Sequence, residues 1–195
     1  MAYKIYITEN CIYKIDKITI GFFCKIPFKN KNNILPILII MSKYKHNIYK
    51  EDGKILISND KYKKELFVLN RRIYKTENNF RNYFIIEIKE EDGIDNYLEL
   101  DDRIINNIIY NKEIEDKLEP FYLIDYEGNV SYFFHDEYKL LTLQKPKGGL
   151  IFNVSNKIIG IGIVHGHYNI YFQRYYDLTY STKEFIHKFY NIKNE

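Results

Sequence analysis

Residues Lys145 to Gly162 read KPKGGLIFNVSNKIIGIG. Two adjacent glycines lead into the apolar run Leu150–Phe152. A polar segment follows from Asn153 to Lys157, and a second apolar run begins at Ile158. Short apolar runs bounded by glycine and by Asn/Ser turn residues are strand signals, so the stretch predicts a strand–turn–strand unit. Asn153, Ser155 and Asn156 read as turn residues, because Asn and Ser side chains hydrogen-bond nearby backbone.

The same pattern extends outward in both directions. Tyr3, Ile5 and Ile7 alternate with polar residues, as do positions Ile12 to Ile20. Gly21 leads into FFCKIPF, where Pro27 predicts an edge or strand-end position. Ile34 to Met41 is a continuous apolar run suited to a strand buried on both faces. Lys54–Ile57, Glu65–Leu69 and Tyr83–Ile88 predict further strands before the turn at Glu90–Gly93. Ile94–Leu100 is only loosely patterned, and Ile104–Leu118 fits either a linker or a short helix. Phe121–Asp125, Asn129–Phe134, Tyr138–Leu143, Ile158–Val164 and Asn169–Phe172 continue the strand series.

The C-terminus differs in kind. Ser181–Glu184 has capping-box spacing, and Phe185, Phe189 and Ile192 fall on one helical face. Many short strands closed by one helix predict an all-β fold: two packed Greek-key β-barrels with a short C-terminal α-helix. The expected layout is a single domain over 1–195. It comprises an N-terminal barrel (1–105), a C-terminal barrel (106–180) and a terminal helix (181–195). No repeat of 20–50 residues is visible in the sequence.

Composition narrows the function classes. The 195 residues carry 29 basic and 26 acidic side chains, a net charge of +3, which is too small an excess to announce nucleic acid. Two cysteines, Cys11 and Cys24, make a disulfide framework the poorer reading, although a pair between them stays open. The longest apolar run contains Pro36 and is far short of a membrane span. The N-terminus lacks the apolar core of a signal peptide, so the expectation is a cytoplasmic protein with no membrane association. Twenty Tyr and thirteen Phe, with many Ile, Asn and Lys, match the residue supply of an AT-rich coding sequence and carry no functional argument alone.

Five ordered blocks resemble a trypsin-like serine peptidase family of protists and large DNA viruses. Gly21-Phe22-Phe23-Cys24-Lys25-Ile26-Pro27 is similar to that family's G-F-F-C-K-I-P strand. Leu35-Pro36-Ile37-Leu38-Ile39-Ile40-Met41-Ser42-Lys43 is similar to L-P-V-L-I-T-N-N-H, with Lys43 where the general-base His stands. Arg72, Tyr74 and Asn82 to Ile94 resemble the segment that carries the orienting Asp, and Asn82 occupies its position. Tyr122–Ser131 matches a further block. Thr142 to Asn153 is similar to T-x-x-G-S-S-G-S-P-I-L-N, with Lys147 at the nucleophile position, then Gly148 and Gly149, and Leu150 in place of Pro. The resemblance spans Gly21 to Phe189.

What the resemblance implies about chemistry follows from the substitutions. Acyl transfer by this machinery needs a hydroxyl nucleophile, a base near neutral pKa and a carboxylate to orient it. Lys43, Asn82 and Lys147 supply none of these, since an ordinary Lys has a pKa of about 10.4. Pro146 lacks an N–H and restricts Lys145 to extended backbone, where the family has the glycine that shapes the oxyanion loop. The implied protein is a pseudopeptidase with no catalytic residues and no cofactor, whose partner is a protein or peptide.

A second expectation rests on charge. Lys43 and Lys147, with Gly148 and His165 nearby in the implied cleft, could hold a small anion or a nucleotide. A metal-independent phosphodiesterase is conceivable by fold analogy alone. The plainer reading is two solvated lysines on loops. His165 and His167 lie at i, i+2 without an evident third metal ligand. His46 is three residues from Lys43, but no Ser is placed to serve it as nucleophile.

Overall fold

The computed structural model describes residues 12–14, 20–28, 30–42, 53–58, 63–67, 70–75, 82–115, 119–125, 129–133, 149–165, 169–174 and 176–190. It divides into two compact units, residues 1–98 with 181–195, and residues 99–180. Both are built on antiparallel sheet, and the chain is mostly β with a C-terminal helix.

In the first unit the strands are β1 (Ile12–Lys14), β2 (Ile20–Phe28), β3 (Asn30–Ser42), β4 (Lys54–Ser58), β5 (Lys63–Phe67), β6 (Ile73–Lys75) and β7 (Asn82–Glu87). Their lateral order is β5-β4-β1-β2-β3-β7-β6. The β2–β3 hairpin is its spine, with Phe23 opposite Leu38 and Cys24 opposite Ile37. Pro27 falls beside a register shift at the hairpin end, where the missing N–H interrupts no long ladder. Pro36 sits opposite Lys25, where the β3–β7 ladder stops at Ile37 and its carbonyl accepts from Ile88 N at 3.0 Å.

Of the apolar run predicted to be buried on both faces, Leu35 and Ile37–Ile40 are buried, whereas Ile34 is exposed and Pro36 half-buried. Phe23, Leu38, Ile40, Ile55, Ile57, Leu66, Phe84 and Ile86 form one core cluster. The alternate residues Phe22, Cys24, Ile26, Ile37, Ile39 and Ile85 are equally buried. β6 had no signal in the sequence, because a three-residue strand carries too little pattern to read. Ile94–Leu100 is not a strand. It makes a single bridge at Leu98 to Cys24 in this unit, and one at Leu100 to Ile158 in the other.

Cys24 is a free, fully buried thiol, and burial pushes its pKa far up. Thiolate is the reactive form, so this cysteine is inert in the native protein. In a Cys11→Ser variant, a thiol reagent such as DTNB is expected to titrate Cys24 only after denaturant is added. Stoichiometric labelling within minutes under native conditions would contradict its burial.

The C-terminal helix corrects the predicted boundary. It runs Tyr176–Tyr190, so Ser181 and Thr182 lie inside it, buried, and do not cap it. Burial of Leu178, Phe185 and Ile186 sets the helix, and packing of this kind outweighs a local capping signal. Within the first unit, the end of the helix is held through Tyr190. Its hydroxyl donates to Glu87 Oε1 at 3.1 Å, the Arg72 guanidinium lies 4.3 Å from its ring, and Phe28 packs at 5.1 Å.

The second unit contains α1 (Asp102–Tyr110) and strands β8 (Phe121–Asp125), β9 (Val130–Phe133), β10 (Gly149–Asn153), β11 (Ile158–His165) and β12 (Asn169–Arg174); the C-terminal helix is α2. Sheet order here is β12-β11-β10-β8-β9. The segment that could be read as linker or helix is therefore helical over its first part, with Asp101 at the N-cap and Asn111 in left-handed conformation at the C-cap. The predicted strands at Tyr3–Ile7 and Tyr138–Leu143 lie outside the described residues, as does Cys11. Among the described residues no helix is long and apolar enough to cross a membrane.

Candidate functional site

The stretch from Gly149 to Gly162 forms the predicted hairpin. Gly149 opens β10 between Asp125 of β8 and Gly162 of β11. All five residues of β10 are buried, which a strand with neighbours on both edges and packing on both faces requires. Gly149 is needed for a specific reason. A Cβ there would lie 2.2 Å from the Ile124 carbonyl oxygen and 2.8 Å from the Asp125 Cα. Two backbones approach as closely as they do only because this residue has no side chain.

The turn that follows is organised by one side chain. Asn153 Oδ1 accepts from Ser155 N at 2.9 Å and Lys157 N at 3.0 Å, while Asn153 N donates to Lys157 O. Asn156 takes positive φ, a conformation Asn tolerates, and accepts from the Tyr122 hydroxyl at 2.6 Å. Ser155 contributes its backbone to this turn, as its sequence context predicts.

Asn153 also ties the turn to a buried carboxylate that the sequence reading overlooked. Its Nδ2 donates to Asp101 Oδ2 at 2.7 Å. Asp101 further accepts from Arg103 N and Nε at 2.8 Å and from Nη2 at 3.0 Å, and Arg103 reaches on to Glu119. Burial alone would raise the Asp101 pKa. The hydrogen bonds and charge of Arg103, with the Asn153 amide, outweigh it and hold the carboxyl below its usual range. The available signal was Asp101 immediately before an apolar helical run, an N-cap pattern. Asp101→Ala is expected to cost about 2–4 kcal/mol, combining a lost cap with stranded donors on Arg103 and Asn153. Thermal unfolding would read this, and a loss below about 1 kcal/mol would remove Asp101 as the hub.

Asn82, a further position that the resemblance singles out, lies in the first unit. β3 ends at Ser42 and β7 begins at Asn82, and these two residues are direct partners across the antiparallel ladder. Facing residues in such a ladder have Cα atoms about 4.5–5.5 Å apart. The position after Ser42 is Lys43. Asn82 thus pairs with the residue that precedes position 43 in the sequence, and Lys43 itself is not among the described residues.

Lys43, Lys147 and Gly148 themselves lie outside the described residues, as do His46 and His167. Lys147 precedes β10 by two positions, and His165 closes β11 opposite Asn169. The predicted anion site between Lys43 and Lys147 therefore rests on positions outside the described residues. Among the described residues no group of three or more His, Cys, Asp or Glu side chains is arranged to hold a metal. No protein-family model matches the chain, and no curated protein or solved structure is significantly similar to it.

Proposed function

We propose that this chain is a catalytically inactive, trypsin-like pseudopeptidase that serves as a protein- or peptide-binding scaffold. The observation that carries the reading is the pairing of Ser42 with Asn82. A general base and its orienting carboxylate must be neighbours for peptidase chemistry. The resemblance assigned those roles to positions 43 and 82, and the β3–β7 register pairs Asn82 with Ser42, the residue that precedes position 43 in the sequence. Their residues are Lys and Asn, so on this reading the positions are kept without the groups that would use them.

Strand order supports the two-barrel architecture. In the first unit the sequence β4-β1-β2-β3 is the spatial order of a Greek key. Its outermost strands, β5 and β6, are consecutive in the chain and joined by residues 68–72 alone. Six Cα steps reach roughly 20 Å, whereas seven flat strands place their edges about 29 Å apart. So short a connection supports a rolled sheet over a flat one.

The second unit repeats part of this order. β11-β10-β8-β9 places a later hairpin beside the first strand of an earlier one, as β5-β4-β1-β2 does. Every neighbouring pair in both sets is antiparallel. A four-strand order shared by the two units supports a tandem pair of related folds, even though the sequence shows no repeat.

The chemistry follows from the side chains. Loss of one triad member costs roughly 10⁴ or more in rate, and here base, orienting acid and nucleophile positions are all replaced. A fluorophosphonate probe is expected not to label the folded protein. Labelling of native protein that disappears on heat denaturation would reveal a serine nucleophile and sink the inactive reading. Thermal-shift screening against peptides and nucleotides separates the peptide scaffold from an anion binder: stabilisation by nucleotides alone would favour the latter.

A further inference from the structure

We draw no further inference here: the strongest candidate, the surface patch on the β8–β9 face where Tyr132 is 64% exposed beside Tyr122 and Phe152, is an apolar patch with nothing in the structure to show what covers it.

Discussion

Gly149→Ala is expected to destabilise the second unit by about 3 kcal/mol or more, at or beyond the upper end of ordinary overpacking penalties. The added methyl would sit 2.2 Å from the Ile124 carbonyl oxygen. Its nearest neighbours are backbone atoms of β8, so no side chain can rotate aside. Relief requires β8 and β10 to separate where Gly149 pairs with Asp125, and the ladder that continues from Leu150–Ile124 to Asn153–Phe121 resists this. Equilibrium denaturation, followed by far-UV circular dichroism, would measure the loss. A change below about 1 kcal/mol would mean that the β8–β10 approach is looser than described. Gly148→Ala in the same experiment tests whether the penalty belongs to Gly149 alone.

The second large effect belongs to the Arg71–Asp92 pair. Both side chains are almost fully buried, and the guanidinium bonds both carboxylate oxygens, with Nη1–Oδ2 and Nη2–Oδ1 each 2.5 Å. Arg71 also donates to the backbone carbonyls of Phe67 and Glu87, and Asp92 accepts from Lys89 N at 2.8 Å. These bonds clamp the β5–β6 connection against the turn after β7. Removing one partner of a buried pair leaves an uncompensated charge and typically costs about 3–5 kcal/mol. Asp92→Leu alone is therefore expected to lose that much. The Arg71→Met/Asp92→Leu double variant should recover most of it, since apolar replacement of both partners is often neutral. A double variant no more stable than the single would show that the pair acts through its backbone bonds rather than its charge.

The pair also sets a pH dependence. Burial raises the Asp92 pKa, but the hydrogen bonds from Arg71 and Lys89 N, with the charges of Arg71 and Lys64, bring it below the usual value. A carboxyl whose folded pKa is depressed contributes stability that is present above its unfolded pKa of about 3.9. That contribution is lost as pH falls through the folded value. Urea midpoints of the wild type should therefore fall more steeply below about pH 4 than those of the double variant. Parallel acid profiles would remove Asp92 as the source. Asp101 acts with the same sign in the second unit, which is why the comparison is made against the double variant and not against a pH-independent baseline.

Much of the fold was legible in the chain because strands announce themselves locally. Phe121–Asp125 is a strand over the predicted residues, and Ile158–Val164 differs from β11 by one residue. Asn153 and Asn156 were readable as turn residues because an Asn side chain acts on backbone two to four residues away. Long-range features were not. Asp101 and Asn153 are 52 residues apart, and Arg71 and Asp92 are 21 apart. Each is an ordinary polar residue until folding removes it from water and leaves the other as its partner. The helix start was misplaced for a related reason: Ser181 offers a cap locally, while burial of Leu178 extends the helix upstream.

The sequence by itself determined most of the described strands, though not β6, that glycine and asparagine would shape the Gly149–Gly162 hairpin, and that Lys43, Asn82 and Lys147 lack the groups of a serine-peptidase triad. Those properties reside in side-chain alternation, turn chemistry and functional-group identity, all of which are local. Tertiary structure decided which strands are neighbours. It set Asn82 opposite Ser42, laid β5-β4-β1-β2 and β11-β10-β8-β9 in the same order, and pressed β8 against Gly149. Lateral order and close approach depend on where a second, distant backbone runs, and no local pattern of residues encodes that position.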